Sequence, residues 1–189
     1  MTIYLIIGGS HAGKTSFVLN SFGRDRPCVF RKDLVGLTEY SDCILFGDYT
    51  TDKRTKGTDT ITRSWLDRLF PQIEKLLPLG KDIVLEGDKI ISRPLFDKIA
   101  GLGVRVQLIW VKCSLETSLR RNREFHSTAK ESTLKGAWKR AENIYKEYYS
   151  KFDGIIVYSD TIEDFSEFSL QYCAVHNLLT FGLSDARLF

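Results

Sequence analysis

The 189-residue sequence predicts a three-layer α/β/α domain built around a central parallel sheet. Three observations lead there. Short, continuous apolar runs at Ile3–Ile7, Asp82–Leu85 and Val104–Val111 have the length and composition of strands buried on both faces. Segments with helical apolar spacing or helix-capping residues alternate with them. The first two runs end in glycine and polar residues, at the strand ends where open α/β sheets bind ligands.

Ile3–Ile7 opens the fold. A glycine-rich turn follows, then a helix from Lys14 to Ser21 that stops near Gly23. Cys28–Arg31 and Cys43–Phe46 read as short strands. Residues 47–61 are polar and charged and read as a loop, of a length that is usually functional or disordered in a compact domain. Trp65, Leu66, Leu69, Phe70, Ile73, Leu76 and Leu77 recur at helical spacing, and Pro71 is expected to kink or divide that helix. The Asp82–Leu85 strand leads into Glu86-Gly87-Asp88. Ser92 caps a short helix ending at Gly101, and Ser114 caps the helix after the Val104–Val111 strand. Residues 120–147 are helical and highly charged, with a break at His126-Ser127-Thr128. Ile155–Tyr158 is the last strand, followed by a helix from about Ile162 to Val175 and a tail. One domain is expected over residues 1–189.

Hydrophobic residues make up 43% and charged residues 27%, ordinary for a globular chain, and the net charge is only +3. A global field strong enough to declare nucleic-acid binding is absent, so any basic surface must be local. Cys28, Cys43, Cys113 and Cys173 show no C-x-x-C spacing, and His11, His126 and His176 do not cluster with them. That argues against a zinc site or a disulfide framework and for buried reduced thiols. Met1–Gly8 lacks a basic signal-peptide region, and no run approaches the ~20 apolar residues of a membrane span. The expectation is a cytoplasmic protein without a membrane partner; a homodimer is allowed.

Gly8-Gly9-Ser10-His11-Ala12-Gly13-Lys14-Thr15 matches G-x-x-x-x-G-K-[ST] in full, between a buried strand and a helix. This is a P-loop. Its glycines let backbone N–H groups converge on phosphate oxygens, and the following helix, with Ser16, adds its positive end. Lys14 is suited to the β- and γ-phosphates of ATP and the Thr15 hydroxyl to magnesium. Glu86 and Asp88, at a strand end beside this cradle, can orient magnesium or accept a proton from an attacking hydroxyl. Their division of labour is open, with Asp88 preferred as the base.

Asp48, Lys56 and Asp59 lie in the long polar loop, where they can hold an acceptor. Arg63 and Arg93 are each suited to a phosphate or to a plain helix-terminal charge. In a lid-like segment over 120–131, Arg120 and Arg123 share a helix face and can neutralise transferring charge. Arg121 points elsewhere and is the weaker candidate. Trp138, Tyr145, Tyr148 and Tyr149 can stack bases, although such residues more often pack a helix onto a sheet.

The P-loop, the Leu85-Glu86-Gly87-Asp88 strand end and the arginine-rich segment after Val104–Val111 resemble the thymidylate-kinase-like branch of the P-loop kinases. Phe46-Gly47-Asp48-Tyr49, followed by Lys56-Gly57-Thr58-Asp59-Thr60, resembles phage kinases for 5-hydroxymethyl-deoxyuridine in DNA. Lys89 follows Asp88 where that branch usually has an Asp-Arg or Glu-Arg pair. The resemblance implies a P-loop NTPase fold, ATP and magnesium. It also implies DNA carrying a hydroxymethylated pyrimidine as acceptor, with Tyr49 joining the acceptor site, in a host cytoplasm if the chain is phage-encoded. A free nucleoside or nucleotide is the alternative acceptor. A nucleotide-dependent regulator is the third reading; Asp33-Leu-Val-Gly36 has D-x-x-G spacing, but no N-K-x-D sequence occurs.

Overall fold

The structure, a computed structural model, describes residues 1–23, 26–50, 66–88, 90–125 and 127–160. β1 (Thr2–Ile7) leads through the P-loop into α1 (Lys14–Val18), which continues as a π-helical turn over Leu19–Gly23. β2 (Val29–Lys32), β3 (Gly36–Glu39) and β4 (Cys43–Phe46) follow. After them come α2 (Leu66–Leu76), β5 (Asp82–Glu86), α3 (Arg93–Ala100) and β6 (Arg105–Lys112). α4 (Leu115–Glu124), α5 (Glu131–Tyr148) and β7 (Ile155–Tyr158) follow, and a 3-10 turn over Leu77–Leu79 extends α2. The helix read from Ile162 to Val175 and the residue Trp65 lie outside the described residues.

The strands form one seven-stranded sheet in the order β2-β3-β4-β5-β1-β6-β7. Only β3 runs against the others: it pairs antiparallel with β2 and β4, and the remaining four pairings are parallel. The sheet is therefore not wholly parallel, and β3 is a strand the sequence pattern did not reveal. Its four residues, Gly-Leu-Thr-Glu, carry one strongly apolar side chain. Chain length explains its direction. Parallel neighbours need a crossover of about a dozen residues or more, which the segment between β2 and β4 cannot supply twice.

Every residue of β1 is buried, and the strand's two-residue repeat divides them between layers. Ile3, Leu5 and Ile7 face a cluster with Leu69 and Ile73 of α2, Phe96 of α3 and Ile144 of α5. Tyr4 and Ile6 face the opposite cluster, with Phe17 and Val18 of α1, Val84 and Ile109. Pro71 does not divide α2, which runs unbroken from Leu66 to Leu76. Pro71 lies exposed, so the carbonyl its missing N–H leaves unpaired faces water. Gln72 and Lys75 of the same helix bind Asp33, at 3.4 and 2.7 Å. The D-x-x-G segment is thus the β2–β3 turn, clasped to α2. Cys28, Cys43 and Cys113 are free thiols, and burial pushes Cys43 up to about 12. No helix among the described residues is long and apolar enough to cross a membrane.

Candidate active site

Two adjacent strand ends build the site. β1 and β5 pair directly, with Ile6 opposite Glu86, so the P-loop leaving β1 meets Glu86-Gly87-Asp88 leaving β5. Gly87 bonds across the gap through its N–H to the Ile6 carbonyl, at 3.2 Å and with φ 122°.

The loop's shape follows from its residues. A Cβ on Gly8 would lie 2.4 Å from the Val111 carbonyl oxygen, so the chain passes β6 too closely for any side chain. Gly9 lies against Trp138 of α5, whose indole N–H donates to the Cys113 carbonyl at 2.8 Å. His11 and Gly13 take φ 60° and 89°, the left-handed geometry that curls the backbone around a phosphate. His11 stacks on Phe125, with ring centroids 6.2 Å apart. Burial lowers its pKa, helped by the charges of Lys14 and Arg121 and opposed by Asn122 and Asp88.

Lys14 Nζ donates to the Gly8 and Gly9 carbonyls, at 3.3 and 2.9 Å, and to Asp88 Oδ1 at 2.9 Å. Ser10 Oγ donates to Asp88 Oδ2 at 2.7 Å. Burial alone would raise the Asp88 pKa. Lys14, Ser10 and Arg140 outweigh it, and the carboxyl is held below its ordinary range. Glu86 is buried and accepts at Oε1 from Thr15 Oγ1 at 2.9 Å and from the Tyr49 hydroxyl at 3.0 Å. The two acids are thereby separated: Glu86 faces the Thr15 hydroxyl, Asp88 the Lys14 ammonium. No cluster of three or more metal-ligating side chains occurs among the described residues. One hydroxyl and one carboxylate suit magnesium, which keeps waters and takes phosphate oxygens for the rest of its shell.

The remaining candidates divide. Tyr49 reaches the site, held by its own N–H on Thr38 Oγ1 at 2.9 Å. Asp48 caps the chain turn beside it, accepting from Thr50 Oγ1 at 2.7 Å. Lys56, Asp59 and Arg63 lie outside the described residues. Arg93 is exposed and pairs with Glu147 at 2.7 Å. Arg120 is exposed and pairs with Glu124 one turn on, at 3.3 Å, and Arg123 is exposed on the same helix. The arginine that reaches the P-loop is Arg121, which is buried and donates to the His11 carbonyl at 3.3 Å. Helical spacing set it on another face from Arg120 and Arg123, as observed, but that is the inward face. α4 buries Thr117, Ser118 and Arg121 while Leu115 and Leu119 are only half-buried. A hydrophobic pattern points the wrong way there because α4 faces backbone carbonyls. Ser159 is a further contact the sequence did not signal.

No protein-family model matches this chain, and no curated protein does. Among solved structures, deoxyadenosine kinase from M. mycoides with bound dATP is similar at a TM-score of 0.50 and 13% identity, over 94% of this chain and 100% of that one. The same enzyme with dCMP and a flexible dCDP bound gives 0.49 and 13%, over 95% and 100%. The chain shares its α/β fold with that dATP-bound structure. Within that fold the cradle, Glu86 and Asp88 lie at the carboxyl ends of neighbouring strands, where doubly wound sheets place their ligands.

Proposed function

We propose that this protein is an ATP-dependent P-loop kinase that transfers the γ-phosphoryl group to an acceptor hydroxyl. The convergence of Lys14, Thr15, Glu86 and Asp88 at two paired strand ends carries this reading. The loop and Lys14 hold the β- and γ-phosphates. Thr15 and Glu86 are the residues that would hold magnesium, which would neutralise charge developing on the phosphates during transfer. Asp88 accepts the acceptor's O–H hydrogen bond and aims its oxygen at the γ-phosphorus. As the new P–O bond forms and the bond to the β-phosphate oxygen breaks, the hydroxyl proton passes to the Asp88 carboxylate. Lys14 and Ser10, already bonded to Asp88, keep that carboxylate ionised.

The acceptor we propose is the 5-hydroxymethyl group of 5-hydroxymethyl-deoxyuridine in DNA. The Gly47-Asp48-Tyr49 motif behind that resemblance is wired to the site through the Tyr49–Glu86 bond, which supports an acceptor loop starting beside the phosphates. A free deoxynucleoside or its monophosphate is the second reading. It is favoured by the fold shared with an enzyme whose name declares deoxyadenosine as its acceptor.

Labelled γ-phosphate ATP with magnesium tests this against modified duplex DNA, unmodified DNA and a pool of free nucleosides and nucleotides, with Lys14→Ala as control. Label in modified DNA alone, lost in the control, is the expected result. Label in a small molecule alone replaces the DNA acceptor with the second reading. ATP hydrolysis with no labelled acceptor overturns the kinase and leaves a regulatory NTPase.

A further inference from the structure

Three buried side chains outside the glycine motif hold the P-loop from behind. Ser118 Oγ donates to the Ser10 carbonyl at 2.7 Å, Arg121 to the His11 carbonyl at 3.3 Å, and Ser159 Oγ to the Ala12 carbonyl at 2.9 Å. Ser118 and Ser159 are 0% exposed and Arg121 is 4% exposed. Arg121 and Ser159 also bind each other, the guanidinium donating to the Ser159 carbonyl at 2.6 Å. The three come from distant parts of the chain, α4 and the end of β7. They meet on three consecutive loop peptides.

Peptide planarity gives this arrangement a consequence. In a trans peptide the C=O of one residue and the N–H of the next point in opposite directions. Fixing the carbonyls of Ser10, His11 and Ala12 therefore fixes, peptide by peptide, the N–H groups of His11, Ala12 and Gly13. The Ala12 N–H closes the turn onto the Gly9 carbonyl at 3.3 Å. The His11 and Gly13 N–H groups point away from Ser118 and Ser159, which hold the carbonyls of the same two peptides. Rotating these planes would cost a partly or fully buried carbonyl its donor at each step.

We propose that Ser118, Arg121 and Ser159 are positioning residues that pre-set the P-loop peptide planes for phosphate binding. Because Ser118 and Arg121 share α4 with the candidate lid arginines Arg120 and Arg123, they also tie the base of that segment to the phosphate cradle. The inference rests on the P-loop being a nucleotide site.

The test is calorimetric titration of the full chain with tripolyphosphate and with ATP, for wild type, Ser118→Ala, Ser159→Ala and Arg121→Lys. Each serine variant is expected to raise both dissociation constants by about 5- to 30-fold, the effect of orphaning one buried carbonyl. In turnover, KM for ATP rises by a similar factor while KM for the acceptor stays constant. Arg121→Lys falls between, since an ammonium offers no fixed fork to two carbonyls. A lowered melting temperature with unchanged dissociation constants, measured where the variant is folded, overturns the inference and leaves these residues as packing. Wild type that binds neither probe overturns both the inference and the kinase reading, whereas wild type that binds while all three variants match it overturns the inference alone.

Discussion

At the residue scale, the two acids make separable predictions. Asp88→Asn removes the proposed proton acceptor but frees Lys14 from its ion pair. It is expected to lower kcat by about 100-fold or more while ATP binding holds or tightens. Glu86→Gln removes the carboxylate of the Thr15–Glu86 pair proposed to hold magnesium and is expected to raise the magnesium concentration needed for half-maximal activity. Initial-rate kinetics across an ATP and a magnesium series check both. His11 predicts a pH effect. Its ordinary value is 6.5 and the fold lowers it, so below pH 6.5 the unfolded chain takes a proton that the native state refuses. Its contribution is complete above 6.5 and is lost as pH falls through the folded value. Thermal melts from pH 7.5 to 5 are expected to fall less steeply in His11→Asn. That Glu86 and Asp88 lie beside the glycine-rich loop was legible in the sequence, because both segments end buried strands. Arg121 was not, since its value comes from two backbone carbonyls, those of His11 and Ser159, that only the folded chain brings together. Arg93 has a charge the sequence shows and a partner, Glu147, that it does not.

At the element scale, α4 is held by its cap and by the loop it supports. Ser114 accepts from the Thr117 N–H at 3.1 Å and in turn receives order from Asp160, which accepts from the Ser114 N–H at 2.7 Å. Ser114→Ala is expected to cost about 1 kcal/mol in denaturant unfolding. The cap was readable because serine before a helical run is a local signal. The inward face of α4 was not, because that face is polar. β3 escaped for a related reason: a four-residue strand between two turns owes its existence to neighbours on both sides. Both cases mark where local pattern yields to tertiary context.

At the scale of the whole molecule, the fold class followed from strands buried on both faces, and the sheet order turns that class into a site. β5 sits beside β1, so a carboxylate strand end lies next to the cradle with no strand between them. The layer opposite α1 depends on Phe96, fully buried, with Tyr148 and Phe152 rings 5.2 and 5.8 Å away. Phe96→Ala is expected to cost about 3–5 kcal/mol in chemical unfolding while leaving KM for ATP unchanged in the folded fraction.

The contact between Gly9 and Trp138 carries an optical consequence. An indole lying against the loop, anchored by its N–H to Cys113, emits light whose wavelength and yield depend on what lies beside it. Trp110 is buried in the sheet and Trp65 lies outside the described residues, so Trp138→Phe isolates the share of the signal that belongs to the loop. The protein thus holds an intrinsic reporter at its phosphate cradle: ATP is expected to change tryptophan emission in wild type and much less in Trp138→Phe, so occupancy can be followed in real time without a dye.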